Sequence, residues 1–169
     1  MAGLLETHKR YGSLSLKKIL KPVIAQARDG ISVSYDLNQA IGSAQQINLD
    51  QESISIYLKD NLPAPEHSLM RRLDLAWTIN EIANKGQKTF YEGAISKKII
   101  KAMDENGGFI SAADLQNYRP RFAEPIQTSY RGFKVLGHPP PAGGAAVLLE
   151  ALNIIENFSV EGLGPRSAK

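Results

Sequence analysis

The sequence predicts a mainly α-helical fold with one β-hairpin. Three observations support this fold class. Apolar residues recur at helical spacing in most segments, serine and glycine residues stand where those segments begin and end, and two β-prone runs flank Arg131-Gly132. The chain has 169 residues, 43% of them apolar and 22% charged, which is typical of one globular domain.

The first helices are predicted from periodicity and capping residues. Residues 1–10 have apolar positions on one face but no preceding cap, so they resemble a helix without its beginning. Ser15 is expected to cap a second helix that ends at Asp29-Gly30, and Pro22 is expected to split or kink it. A third helix is predicted over 34–46.

The segment 47–69 is the least regular part of the sequence. It is rich in asparagine and proline, and it contains a short alternating run from Ile54 to Leu58. We therefore expect a surface excursion with one short strand at Ile54 to Leu58.

The pattern becomes clearly helical again from Leu73. A helix is predicted from there to Lys85-Gly86, with Trp77 in its packing. A second is predicted over 93–106, ended by Gly107-Gly108. The spacing of Ser111 and Asp114 predicts a capping box on a short helix that runs to about residue 118.

The last part of the chain is predicted to be a hairpin followed by a helix. The hairpin strands are Ile126 to Tyr130 and Phe133 to Gly137. Pro139 to Pro141 should stop the second strand in a polyproline II conformation, and Gly143-Gly144 should allow a sharp turn and a close approach to a neighbour. The helix Ala145 to Asn157 is apolar on almost every face, which predicts burial. We expect a single partial domain, with a helical part, 1–120, and a hairpin and buried helix, 121–158.

Composition excludes several function classes. The net charge is +3, but the basic residues are interspersed, and pairs such as Arg71-Arg72 are interpreted as solvated helix faces rather than a nucleic-acid footprint. The absence of cysteine excludes disulfides and thiolate chemistry. No apolar run reaches the roughly 20 residues of a membrane span, and no signal pattern indicates a compartment.

A search for reactive groups assigns no catalytic, substrate-binding or metal-binding residue. His8, His67 and His138 lack the spacing of metal ligands, so neither a metal nor another cofactor is expected. Asp104 and Glu105 are neighbours at a helix end, where an exposed role is favoured over an acid–base pair. No GxSxG, SxxK or phosphate-binding glycine loop is found. The glycines before the last helix could expose N–H groups to an anion, but a structural turn is favoured.

Four segments in order carry a resemblance to a known family. They are AGLLETHKRYGSLSLKKILKPVIAQARDG at 2–30, FYEGAISKKII at 90–100, NGGFISAADLQNYRP at 106–120, and YRGFKVLGHPPPAGG from 130 with the helix through NIIENF. Together they resemble the large subunit of gamma-glutamyltransferase (gamma-glutamyltranspeptidase). The weakest stretch is 31–69.

The resemblance implies an αββα N-terminal nucleophile hydrolase. In that family a threonine freed by self-cleavage attacks the gamma-glutamyl amide of glutathione or a related compound, with its own α-amino group as base, and the acyl group passes to water or an amine. The threonine and the oxyanion glycines belong to the small subunit, and the carboxylate-binding arginine lies upstream of the matching region. Gly143-Gly144 are therefore not the oxyanion glycines, and Ala142 and Gly143 stand where many relatives carry serines.

The resemblance implies that this chain is a partial piece of that fold. As a fragment, the chain is expected to be inactive alone. Its expected partners are the small subunit with the threonine, the missing N-terminal part of the large subunit, and a gamma-glutamyl small molecule. Exposed apolar surface is then expected around Ala145 to Leu152. Two alternatives stay open. One is a stand-alone helical interaction module, and the other is a piece of a related acylase that acts on cephalosporin-type side chains or poly-gamma-glutamate. Substrate, oligomeric state and localisation are not predicted, although relatives are often exported.

Overall fold

The computed structural model describes residues 1–44 and 51–159, which form a mainly helical chain with three small antiparallel sheets. The helices are α1 (Ala2–Tyr11), α2 (Leu16–Asp29), α3 (Tyr35–Ser43), α4 (Gln51–Tyr57), α5 (Leu73–Lys85), α6 (Gln87–Tyr91), α7 (Ala94–Asn106), α8 (Ala112–Asn117) and α9 (Gly143–Ile155). The strands are β1 (Ile31–Ser32), β2 (Leu58–Lys59), β3 (Leu62–Pro63), β4 (Leu69–Met70), β5 (Ile126–Tyr130) and β6 (Phe133–Gly137). The chain divides into two compact units, Met1–Pro120 and a second that begins at Arg121.

Side-chain caps fix the starts of three helices in the first unit, as predicted for Ser15 and Ser111. The hydroxyl of Ser15 accepts a hydrogen bond from the Lys18 N–H at 3.3 Å, and Ser34 caps α3 in the same way. Ser111 and Asp114 form a reciprocal capping box, in which the Ser111 N–H donates to the Asp114 carboxylate at 2.8 Å. These bonds satisfy N–H groups that have no partner inside the helix.

The predicted ends of α2, α5 and α7 are confirmed. Gly107 follows α7 with φ 66°, in the left-handed conformation that costs glycine little. Pro22 does not split α2, which is continuous from Leu16 to Asp29. Its ring lies on an exposed face, while the other side of α2 packs along α5. Positions 45 and 46 of the predicted third helix, and the first part of the irregular segment, lie outside the described residues.

The strand predicted at Ile54 to Leu58 is wrong, because α4 occupies most of this run. Ile54 and Tyr57 are half-buried and three residues apart, so they share one face of α4, and Leu58 follows as the first residue of β2. Tertiary packing has overridden the local alternation, as it often does for short segments. The structure adds a tight β2–β3 hairpin whose turn residues, Asp60 and Asn61, have φ values of 53° and 60°.

Two buried clusters are found among the described residues of the first unit. One joins Ala2, Tyr91 and Leu115, which brings α1, α6 and α8 together. Its ring contacts include Tyr91 stacked on Tyr118, with centroids 5.6 Å apart and planes at 3°. The other cluster joins Val33, which directly follows β1, with Ile41 of α3 and Met70 of β4. Lys98 Nζ lies 4.6 Å from the centre of the Trp77 ring, which is partly exposed at the side of α5.

The second unit is the predicted hairpin with α9 against it. β5 and β6 pair in the register Ile126↔Gly137 through Tyr130↔Phe133, and Arg131 and Gly132 form the turn. One face of this two-stranded sheet contacts α9. The hairpin prediction is therefore confirmed.

Candidate functional site

The junction between β6 and α9 contains the three prolines and the glycine pair of the fourth resembling segment. The strand ends at Gly137, the ring Nδ1 of His138 lies 2.9 Å from the Pro139 carbonyl oxygen, and the Pro140–Pro141 peptide bond is cis. The Ala142 N–H donates to the Pro139 oxygen at 3.4 Å, and α9 begins at the next residue without a side-chain cap.

The close backbone approach expected at Gly143-Gly144 is found elsewhere. Neither glycine has a positive φ, both lie in the first turn of α9, and a Cβ on either would meet nothing within 4 Å. A Cβ on Gly137, in contrast, would lie 2.7 Å from the Ala145 Cβ. The residue that lets strand and helix touch is therefore Gly137, because only glycine leaves room there.

Two polar contacts fix α9 against the hairpin. The half-buried Thr128 hydroxyl donates to Asn153 Oδ1 at 2.5 Å. At the hairpin turn, the Arg131 backbone N–H donates to the Glu156 carboxylate at 2.6 Å. These bonds set the orientation of the helix on the sheet.

The prediction that α9 is buried is wrong for this chain, while the exposed apolar surface expected around Ala145 to Leu152 is present. Leu149 is buried, but Val147 is 68% and Leu148 54% exposed, and Ile154 near the helix end is also exposed. The hairpin covers one face of α9, but α9 is apolar on several faces. What remains is an apolar surface on α9, of the kind that marks an interaction site.

The three histidines considered in the sequence each lie beside a different backbone segment. The His8 ring lies 2.8 Å from the Leu14 carbonyl oxygen, the His67 backbone N–H donates to the Val33 oxygen at 2.8 Å, and His138 contacts Pro139. No group of three or more possible ligands that could hold a metal ion is present in residues 1–44 and 51–159. Within the same ranges, no helix is long and apolar enough to cross a bilayer.

Asp104 and Glu105 line a groove between α7 and α8 together with lysines of α7. The Glu105 carboxylate lies 3.7 Å from Lys101 Nζ, an ion pair whose two side chains are both exposed. Exposed pairs of this spacing are weak helix-surface interactions. The geometry gives the two acids a surface role rather than a shared reactive centre.

The sequence has threonines at 7, 78, 89 and 128, all within helices or strands. Thr7 donates its hydroxyl to the Gly3 carbonyl at 2.9 Å, and the buried Thr89 hydroxyl donates to Glu81 at 3.1 Å. An N-terminal nucleophile needs a free α-amino group on the same threonine. Each of these four threonines lies within a helix or strand, so its α-nitrogen is part of a peptide bond in the uncleaved chain.

Shifted pKa values occur at surface ion pairs and caps. Hydrogen bonds from Arg28 lower the pKa of Asp29, and a hydrogen bond from Lys85 lowers the pKa of Glu81. The pKa of Asp114 is lowered by the Ser111 hydroxyl and N–H in the capping box. These carboxylates are held ionised by their partners, which suits stabilisation of helices rather than proton transfer.

Comparison with known proteins agrees with the resemblance. The family model described as gamma-glutamyltranspeptidase matches residues 1–169. The chain belongs to the gamma-glutamyltranspeptidase family. It is 32% identical over 170 residues to the glutathione hydrolase proenzyme of Escherichia coli (strain K12), a match that covers 99% of this chain and 29% of that protein.

Solved gamma-glutamyltranspeptidase-type structures show the same chain path. The Helicobacter pylori gamma-glutamyltranspeptidase matches with a TM-score of 0.94 and 32% identity, over 99% of this chain and 49% of that one. A cephalosporin acylase from Bacillus halodurans matches with a TM-score of 0.85 and 30% identity, over 93% of this chain and 30% of that one. The chain thus spans about 30% of the length of the curated relatives it matches.

One feature of the structure was missed by sequence reasoning. Arg72, interpreted with Arg71 as a solvated pair, is half-buried and donates to the Tyr57 hydroxyl at 3.0 Å. The only local signal was the apolar sequence on both sides of the pair, and the partner lies 15 residues earlier in a segment predicted as a strand.

Proposed function

We propose that this chain forms part of the large subunit of a gamma-glutamyltransferase that cleaves the gamma-glutamyl amide of glutathione or a related compound. The observation that carries the proposal is the family match over residues 1–169, together with 99% coverage of this chain by the Escherichia coli glutathione hydrolase proenzyme. The acyl group passes to water or to an amine. The role of this chain is scaffolding.

The proposal includes that the chain is inactive alone and that a threonine-led small subunit and an upstream part of the large subunit complete it. All four threonines lie within helices or strands, where a self-cleavage that freed one of them would break a regular element. The exposed Val147 and Leu148 on α9 support a packing partner as well. That these relatives are called proenzymes fits a chain matured by cleavage.

The test is turnover of a chromogenic gamma-glutamyl anilide. The purified 169-residue chain should release no product, and co-expression with an upstream large-subunit segment and a threonine-led small subunit should restore release. A Thr→Ala change at the first residue of that small subunit is the matched control and should abolish it. Turnover by the purified chain alone would contradict the proposal.

A second candidate is a related acylase, which the cephalosporin acylase of Bacillus halodurans favours at 30% identity. The reconstituted enzyme would then release the side chain of an acylated cephalosporin faster than it cleaves the anilide. A helical interaction module without chemistry is the remaining alternative. It predicts a monodisperse chain that melts cooperatively and gains no activity when the complementary polypeptides are supplied.

A further inference from the structure

A small concavity in the first unit combines apolar walls with a single cation. It has a volume of about 280 Å³ and lies among α2, α3, α4, β1, β4 and α5. Its lining is mostly apolar and includes Val23, Leu37, Tyr57, Arg72 and Leu75. Ligand sites in proteins have this composition, with apolar walls and a few polar groups that fix the orientation.

Arg72 is held in place before any ligand arrives. One terminal nitrogen of its guanidinium donates to the Tyr57 hydroxyl at 3.0 Å, and its central carbon lies 5.5 Å from the centre of the Tyr57 ring. Its backbone N–H donates to the Ala27 carbonyl at 2.7 Å. Both the backbone and the guanidinium of Arg72 are therefore held in place. Less conformational entropy is then lost when the guanidinium binds an anion.

No carboxylate pairs with Arg72 in the part of the chain that the structure describes. The guanidinium has five N–H donors, and the Tyr57 hydroxyl uses one. A half-buried cation on apolar walls is costly without an anion, and an anion with an apolar body complements both parts of the surface. Arg71, its neighbour, does not line the concavity and donates to the Asp29 carbonyl at 3.1 Å.

We propose that this concavity binds a small monocarboxylate with an apolar tail. The carboxylate accepts hydrogen bonds from the free N–H groups of Arg72, and the tail lies against Val23, Leu37 and Leu75. The volume is close to the lower limit of about 300 Å³ for ligand sites, which favours a medium-chain acid such as octanoate over a larger ligand.

The experiment is an NMR titration of the 169-residue chain with sodium octanoate, with 1-octanol as the uncharged match. Octanoate should shift the Arg72 side-chain N–H signal and the methyl signals of Leu37 and Leu75 together, in a saturable way. Octanol should bind about tenfold more weakly, because it cannot form the charge-assisted hydrogen bonds. This comparison needs only the unaltered chain.

Two variants sharpen the result. Arg72→Gln should weaken octanoate binding about tenfold and leave octanol binding unchanged, since it removes the charge but not the apolar walls. Arg71→Gln, the matched control, should change neither. The proposal is overturned if octanoate and octanol bind equally, or if Arg71→Gln weakens octanoate as much as Arg72→Gln does. It is also overturned if the Arg72 signal shifts only on self-association of the chain, which would assign the concavity to a protein contact.

Discussion

The hydroxyl of Tyr91 caps a helix from a distant part of the chain, and removing it gives a sharp test of the packing. The Ala2 N–H, at the start of α1, donates to this hydroxyl at 3.0 Å, across 89 residues of sequence. Ala2 is 0% and Tyr91 7% exposed, so water cannot replace the lost acceptor. Tyr91→Phe keeps the ring and its stacking on Tyr118 but leaves a buried N–H without a partner. We therefore expect a loss of about 1–3 kcal/mol in the free energy of unfolding.

Urea denaturation followed by fluorescence measures this loss, because the single tryptophan, Trp77, lies in the same unit. The urea midpoint should fall with an unchanged slope, and the melting temperature should fall by about 2–4 °C per kcal/mol. Tyr118→Phe is the matched control: it removes a hydroxyl from a residue that is largely exposed, so a change within about 0.5 kcal/mol is expected. If Tyr91→Phe and Tyr118→Phe have the same small effect, the hydroxyl does not cap α1.

Three further predictions concern the hairpin, a cap and the apolar surface of α9. Gly137→Ala should destabilise the second unit by about 1–3 kcal/mol, because its Cβ would meet the helix at 2.7 Å, while Gly144→Ala should cost nothing in hydrogen-exchange measurements of the same unit. The lowered pKa of Asp114 adds stability above about pH 4 that disappears as the pH falls through the lowered value. The difference in urea midpoint between the wild type and Asp114→Asn should therefore shrink below about pH 4 and vanish in acid, and a difference that persists there would contradict this role of the capping box. Val147→Asn should leave the urea midpoint of this chain unchanged, since the side chain is 68% exposed. The same variant should reduce the anilide turnover that co-expression restores. Unchanged turnover would show that this surface of α9 does not contact the partner.

Helix boundaries were the most predictable part of the fold because their causes are local. Ser15 and Ser111 accept backbone N–H groups three residues ahead, and Gly107 supplies a left-handed residue after α7. The hairpin was predictable for the same reason, since Arg131-Gly132 separates two runs of alternating pattern. Each of these signals lies within a few residues of its effect.

The errors arose where distant residues decide the structure. Ile54 to Leu58 alternates like a strand, but Tyr57 at the end of α4 and Leu58 at the start of β2 both pack against the cluster that includes Val33 and Met70. The short β1–β4 pair and the cap on Ala2 also depend on partners far away in sequence. No window of local pattern contains that information. No residue of the proposed reactive centre is assigned in this chain, whose four threonines lie within helices or strands.

The sequence of α9 requires more burial than the hairpin provides. Leu149 packs against the sheet, and Asn153 and Glu156 form its polar contacts with Thr128 and the hairpin turn. A helix that needed only this contact would have a polar outer face. Instead Val147 and Leu148 lie exposed on the remaining faces. Each such side chain gains about 1.5–3 kcal/mol when it is fully buried, so a partner surface on α9 would be strongly favoured. This apolar excess supports the proposal that the chain works as one part of a larger enzyme.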